Sequence, residues 1–365
     1  MRKIIFFFLM VNFSFGQTFQ QALDSLLEHK FPANSAGIAV LVIKNNQEIY
    51  KKGFGLANIE KKEAITPNTN FRMASVSKQF TAMCIILLEK QGKLSYEDNL
   101  LKFFPDFAPS VGTIIKIKHL LTHSSGIIDY EDLIPENQKK QILDDDVLEL
   151  VKNQTTTYFE AGKQFRYSNT GFCLLEQIVE KVSGEKYSSF IEKNIFRPVG
   201  MLNTSMYSEN AQIPNRAMGY TRNDKGEIAF SDQSITSATK GDGCVYTSLN
   251  DYKKWVIALQ KNQLVNLETQ LAKINFQLNN TSKFEYGFGW FNYLNSKNQL
   301  ELYHTGSTCG FSNSVSIVPK SNYFFVFFSN IANNHGIEQP IYDLMKKYKL
   351  TDSEINFKFL LEQTR

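Results

Sequence analysis

The chain has 365 residues, 42% of them apolar and 21% charged, enough to bury a sizeable core in one or two packed units. Its formal charge of +4, from 40 basic against 36 acidic residues, is spread without a basic block or stripe, which argues against a nucleic-acid partner. Beyond the first residues no stretch approaches the roughly twenty apolar residues that a membrane helix needs, so no stable membrane anchor is expected.

Met1-Arg2-Lys3, followed by the apolar run Ile4 to Val11 and small Ser14 and Gly16, has the pattern of a secretory signal peptide over residues 1–16. A mature start near Gln17 and a secreted or periplasmic location are the expectation. No cysteine sits at that junction to carry a lipid. Cys84, Cys173, Cys244 and Cys309 match neither a disulfide-dense scaffold nor a zinc pattern; most are expected to pack as small apolar residues, with one disulfide left open.

From Gly37 to Ile43 a β-branched run, a polar turn at Lys44 to Gln47 and a second run from Glu48 to Phe54 predict a hairpin. Phe80, Met83, Cys84, Leu87 and Leu88 then fall at helical spacing, with Ala82, Ile85 and Ile86 apolar on the opposite side, before Gly92. A helix apolar all round is a buried helix. Residues 140–153 and 186–196 read as amphipathic helices, and Phe172 to Val182, stopped by Ser183-Gly184, as a second buried one. Strands return at Tyr286 to Tyr293, Leu300 to His304, Ser314 to Val318 and Tyr323 to Phe328, before a helix from Ile337 to Tyr348.

The fold class is therefore α+β, an antiparallel sheet flanked by helices with a mostly helical subdomain. Residues 17–74 and 241–348 supply the sheet part, 75–240 the helical part, and 349–365 stay unassigned.

Ser75-Val76-Ser77-Lys78 is an S-x-x-K motif, whose spacing sets an amine one turn from a hydroxyl, where it can take the serine proton. Ser183 to Lys186 and Ser237 to Lys240 match it too, but the first lies at a helix end and the second in a polar loop. Ser75 opens the buried helix, where free backbone N–H groups can hold an oxyanion.

Tyr167-Ser168-Asn169 precedes the second buried helix and offers a phenol for proton transfer and an amide for fixed hydrogen bonds. Tyr293-Leu294-Asn295 also fits Y-x-N, at a strand end. His304-Thr305-Gly306-Ser307 ends a predicted strand, whose edge can pair with an extended substrate while Gly306 permits close approach.

With these three motifs in order the chain resembles the serine penicillin-recognising enzymes, whose β-lactamase members carry S-x-x-K and K-T-G. The resemblance extends through Phe71 to Ser75, His119 to Ile127, Phe159 to Leu175, Val182 to Gly184, Pro198 to Met201 and Gly241 to Cys244, covering nearly all of residues 20–335. It points to the class C β-lactamase and D-alanyl-D-alanine carboxypeptidase branch. It implies an antiparallel sheet of five or more strands beside helices, with the site at their junction. It also implies Ser75 as nucleophile, Lys78 and Tyr167 as the joint proton-transfer pair and Asn169 as a substrate ligand. His304, Thr305 and Gly306 would form the far wall, and the backbone N–H groups of Ser75 and Ser307 the oxyanion hole.

His304 stands where class C β-lactamases have lysine. Loss of that permanent charge weakens recognition of a β-lactam or peptide carboxylate and predicts a pH profile that depends on His304. The histidine form resembles D-alanyl-D-alanine carboxypeptidases, D-aminopeptidases and esterases of the same fold, which implies a peptidase, amidase or esterase activity first and β-lactam hydrolysis second. No cofactor or metal is expected: His119 and His123 are four apart, but no third ligand or H-E-x-x-H accompanies them. A G-x-S-x-G elbow is absent, against an α/β-type Ser-His-Asp hydrolase. Asp129-Tyr130 is placed at the cleft rim. The alternative outside enzymes is a silent binder of cell-wall peptides; oligomeric state stays open.

Overall fold

The computed structural model describes residues 17–210 and 212–364, so the leader expected over residues 1–16 lies outside the described residues. Alternating apolar runs from both ends of the chain meet in one eight-stranded antiparallel sheet. Its strands are β1 (Ile38–Lys44), β2 (Gln47–Phe54), β3 (Phe276–Gln277), β4 (Glu285–Gly287), β5 (Trp290–Leu294), β6 (Leu300–Thr308), β7 (Phe311–Val318) and β8 (Tyr323–Ser329). Across the sheet they run β3-β4-β5-β6-β7-β8-β1-β2, and the two halves join where Val40 of β1 lies opposite Phe327 of β8.

All of β8 is buried, and its period of two sorts the side chains onto two cores. Phe324, Val326 and Phe328 join Phe80, Phe172 and Trp255 on the inner face, while Tyr323, Phe325 and Phe327 join Leu23, Ile341, Tyr342 and Leu360 on the outer one. A strand covered on both faces reads as a continuous aromatic run, as Tyr323-Phe324-Phe325-Val326-Phe327-Phe328 does.

The inner core is closed by α2 (Lys78–Lys90) and α3 (Asn169–Ser183), and the outer by α1 (Phe19–Lys30), α4 (Glu338–Lys347) and α5 (Phe357–Glu362). The Ser168 hydroxyl caps α3 by accepting the Gly171 N–H at 3.4 Å, and Gly184, with φ of 71°, ends it in the left-handed region. The expected α+β class and both buried helices are present.

The differences have local causes. The segment from Tyr286 to Tyr293, read as one strand, is a hairpin of β4 and β5, turned at Phe288 and Gly289 with φ of 53° and 80°. A Cβ on Gly289 would meet the Gln79 backbone nitrogen at 2.7 Å, so the turn is pressed onto the start of α2. Helix α1, absent from the sequence reading, is fixed by a capping box: Thr18 Oγ1 accepts from the Gln21 N–H, and Gln21 Oε1 from the Thr18 N–H at 2.9 Å. The unassigned tail carries α5, whose Phe357 and Leu360 fill the outer core. The helix read over 140–153 begins only at Asp144, and that over 186–196 runs from Tyr187 with a π-turn at Glu192–Phe196.

Among the described residues no helix is long and apolar enough to cross a membrane. All four cysteines are free; Cys84, Cys173 and Cys244 are buried and Cys309 is partly exposed.

Glu176 of α3 is fully buried; its Oε2 accepts from Gln177 Nε2 at 2.9 Å, and its Oε1 has no hydrogen-bond partner. Burial, assisted by the nearby Asp144 charge, pushes the Glu176 carboxyl up to about 9, against the pull of Lys240. The folded state thus holds this proton more tightly than the unfolded chain does. The stability it contributes is complete below the unfolded carboxyl range and is lost as pH rises toward 9. Glu176→Gln is expected to raise Tm at pH 8.5 by about 2 °C or more, with a smaller change at pH 5. Thermal melts at both pH values check this.

Candidate active site

Ser75 lies on a 3₁₀ turn, Ala74–Ser77, that leads into α2, so the α-helix itself begins at Lys78 rather than at Ser75 as expected. Ala74 has φ of 47°, a conformation that costs a non-glycine residue about 1 kcal/mol or more. Two contacts hold the turn there. The Met73 N–H donates to the Val245 carbonyl at 2.8 Å, and the Val245 N–H donates to Ser77 Oγ at 3.2 Å. On the other side Gly306 of β6 is so close that a Cβ there would lie 2.1 Å from the Met73 carbonyl oxygen. Only glycine lets β6 approach the turn this closely.

Lys78 is fully buried, and its Nζ donates to Ser75 Oγ at 3.0 Å, Asn169 Oδ1 at 2.8 Å and the Asp242 carbonyl at 3.1 Å. Three segments thereby converge on one nitrogen. Nζ also stands 5.0 Å from the centre of the Tyr167 ring. Tyr167 Oη is buried without a hydrogen-bond partner. Burial raises the phenol above its usual range, opposed by the Lys78 charge and by the neighbouring Ser75 hydroxyl. An unpaired buried hydroxyl beside a serine–lysine pair is a group free to exchange a proton with a bound substrate.

His123, a residue that sequence reasoning gave no role in catalysis, orients Tyr167. Its Nδ1 accepts the Ser168 N–H at 3.2 Å, its carbonyl accepts the Arg166 N–H at 2.9 Å, and its ring lies 4.2 Å from that of Tyr167. Burial keeps its imidazole neutral. His119 sits on a separate short helix, Ile117–Leu121, where its Nδ1 accepts the Lys116 N–H at 3.2 Å. Among the described residues no cluster of three His, Cys, Asp or Glu side chains is placed to hold a metal ion.

Of the four residues of the third motif, Ser307 is exposed and lines the cleft with Ser75, Asn169 and Asp242, whereas His304 and Thr305 are buried behind it. β5 pairs with β6 only as far as Tyr303, so the edge of β6 from His304 onward faces the Ser75 turn without a strand beside it. The expectation that His304 changes charge near neutrality is corrected. Its Nδ1 meets the Thr305 carbonyl at 2.6 Å; a carbonyl only accepts, so Nδ1 carries the hydrogen and Nε2 accepts from Tyr286 Oη at 3.0 Å. Burial then pulls the ring down to about 3, which leaves it neutral at physiological pH.

Two acids complete the cleft. Glu131, two residues beyond the Asp129 assigned to the rim, accepts from Asn169 Nδ2 at 3.0 Å, and burial raises its carboxyl above the usual range. Asp242 is 8% exposed with an unpartnered Oδ1, and burial raises it too, against the Lys78 charge. The other S-x-x-K serines are occupied elsewhere: Ser183 Oγ accepts the Glu185 N–H at 3.1 Å, and Ser237 Oγ the Ser234 N–H at 2.8 Å.

A family model described as Beta-lactamase matches residues 19–348. The chain belongs to the beta-lactamase family. It is 30% identical over 340 residues to penicillin-binding protein 4* of Bacillus subtilis (strain 168), covering 89% of this chain and 75% of that one. Against protein flp of Staphylococcus aureus (strain MRSA252) it is 27% identical over 327 residues, 87% of this chain but 64% of that protein, so it spans less than two thirds of that relative. The octameric penicillin-binding protein homologue from Pyrococcus abyssi superposes with a TM-score of 0.77 at 25% identity, covering 90% of this chain and 77% of that one. The family and fold read from the three motifs agree with these matches.

Because His304 is neutral and enclosed, His304→Gln is expected to leave the shape of the kcat/KM profile between pH 5 and 8 unchanged, whatever it does to the absolute rate. Profiles of both proteins on one neutral ester check it; a shift of the acidic limb in the variant would return the titration to His304.

Proposed function

We propose that this beta-lactamase-family chain is an exported serine hydrolase that acts through an ester on Ser75. The observation that carries the reading is the convergence of Ser75 Oγ and Asn169 Oδ1 on Lys78 Nζ, at 3.0 and 2.8 Å, beside the unpaired Tyr167 hydroxyl. Ser75 Oγ attacks the substrate carbonyl carbon while its proton passes to the Lys78/Tyr167 pair, which accepts it in the form that holds one proton fewer, as neutral amine or as phenolate. The same pair returns a proton to the leaving group as the bond to the carbonyl breaks. Water then attacks the Ser75 ester, and the proton retraces its path. The backbone N–H groups of Ser75 and Ser307 are assigned to the oxyanion. Asn169, fixed between Lys78 and Glu131, is assigned to the substrate side chain or amide.

The substrate class assigned is a small amide, a D-alanyl-D-alanine-type peptide or an ester, with β-lactam hydrolysis second. The neutral, enclosed His304 favours an amide or ester without a carboxylate at that wall, since it supplies no positive charge for the carboxylate that a β-lactam or a D-alanyl-D-alanine peptide presents. Arg72 does not replace it: its Nη1 donates to Gln233 Oε1 at 2.9 Å and its Nη2 to the Ser237 carbonyl at 2.6 Å.

Incubation with a fluorophosphonate or a penicillin is expected to add one probe mass to the protein, and Ser75→Ala to abolish both the adduct and turnover, by about a thousandfold or more. Intact-mass spectrometry and a panel of nitrocefin, p-nitrophenyl acetate and D-alanyl-D-alanine peptide give the readout. A wild type unlabelled by either probe, or unchanged turnover in the variant, overturns the reading. Muropeptide binding by calorimetry without any turnover would put the silent binder in its place.

A further inference from the structure

Ser307, which closes the third motif, has its Oγ 2.6 Å from Nε2 of His335, and His335 Nδ1 lies 3.3 Å from Glu338 Oε1; neither His335 nor Glu338 belongs to a motif. The His335 and Glu338 side chains are 8% and 2% exposed, and the Tyr303 hydroxyl donates to Glu338 at 3.2 Å. Ser307 itself is exposed to the cleft that contains Ser75. A serine, an imidazole and a buried carboxyl thus stand in line, with the serine at the substrate end. We propose that His335, oriented by Glu338, is a positioning residue that decides whether the Ser307 hydroxyl offers the substrate an acceptor or a donor. The proposal rests on the Ser75 reading and specifies what its far wall recognises.

Proton placement along this line sets what Ser307 offers. A carboxyl oxygen beside Nδ1 favours the tautomer with hydrogen on Nδ1, which leaves the Nε2 lone pair facing Ser307. At 2.6 Å the Ser307 O–H then donates to Nε2, and its lone pairs are what remain for the cleft. In this state the wall accepts from an N–H, as an ammonium or amide presents, and repels a carboxylate. Without an acceptor at this place the hydroxyl hydrogen is free to point at a carboxylate. The groups facing His335 are few: Glu338 on α4, Ser307 on β6, with Tyr303 behind Glu338, and the Phe327 ring on β8 at 6.5 Å between centroids. From β7, Ser312 Oγ is taken by the Asn334 N–H at 3.0 Å. The cleft acids Glu131 and Asp242 also attract an ammonium, so the test must separate their pull from the orientation of Ser307.

Two esters of one leaving group serve as probes, a D-alanyl ester with a free ammonium and a succinyl ester with a free carboxylate, at pH 6.5 where both are charged. The readout is the ratio of their kcat/KM values, ammonium over carboxylate. In Ser307→Ala the ratio is expected to fall by about fivefold, the worth of one hydrogen bond. In His335→Leu, which leaves the Ser307 hydroxyl hydrogen free, it should fall at least as far; in His335→Gln, whose amide oxygen can accept from Ser307, it should stay near the wild-type value. Fluorophosphonate labelling of Ser75 in each variant reports separately on the nucleophile, and thermal melts on folding. A ratio that Ser307→Ala and His335→Leu leave unchanged, in protein that labels at Ser75, overturns the relay and assigns the preference to the cleft acids. So does a His335→Gln ratio as low as that of His335→Leu. Absence of labelling at Ser75 in the wild type would instead overturn the Ser75 reading.

Discussion

A lysine amine taken wholly out of water needs an acceptor along each of its N–H directions, and the site is arranged to meet that need. Lys78 finds its acceptors on the Ser75 turn, at the first residue of α3 and on the backbone at Asp242. Removing one of them leaves a buried polar group unsatisfied, so the three segments hold one another in place. Asp144 secures the last of them, its carboxyl accepting the N–H groups of Lys240 and Gly241 at 2.6 and 3.0 Å. Thr81 of α2 adds a bond to the Gly241 carbonyl at 2.6 Å. The geometry of the cleft and the packing of the fold are here the same set of contacts.

The sheet supplies the rigid side of the cleft. β6 is paired along β7 from Leu302 to Thr308, and that half of the sheet is buried on both faces, so the strand cannot swing away from the turn it touches at Gly306. Its free edge beyond Tyr303 is what remains for a substrate. The residues between β6 and the inner core are aromatic: Tyr286, Phe291 and His123 surround Tyr167 and His304 with rings rather than water. Low local polarity raises the electrostatic weight of the few polar groups left facing the cleft.

Legibility in the sequence followed the range of the interactions. The helices apolar on every side, the hairpin of β1 and β2 and the stop at Gly184 are set by neighbours a few residues apart, and all were readable. Ser75, Lys78, Tyr167, Asn169 and Ser307 were named from motifs, and the structure brings them to one cleft. His304 was named as well, but its burial comes from Tyr286, 18 residues away, and from Phe291, so a residue type that suggests titration turned out to be enclosed. The turn inside β4 and β5 was hidden because Phe288, not a usual turn residue, adopts positive φ under contact with α2. Glu131 was two residues from a position already suspected. His335 and Glu338 carried no local signal, since their meaning depends on Ser307, 28 residues before the histidine.

Ala74 brings these themes to a point. An alanine held at φ of 47° gives up conformational freedom that almost any other backbone shape would return, and it does so directly beside Ser75. The fold therefore carries a local instability that only the contacts of Met73, Ser77 and Gly306 keep in check. A glycine at that position would relax the backbone and widen the range of directions open to the serine hydroxyl. Robustness and aim are set against each other at a single residue, and drift toward a sturdier chain at this place would blunt it.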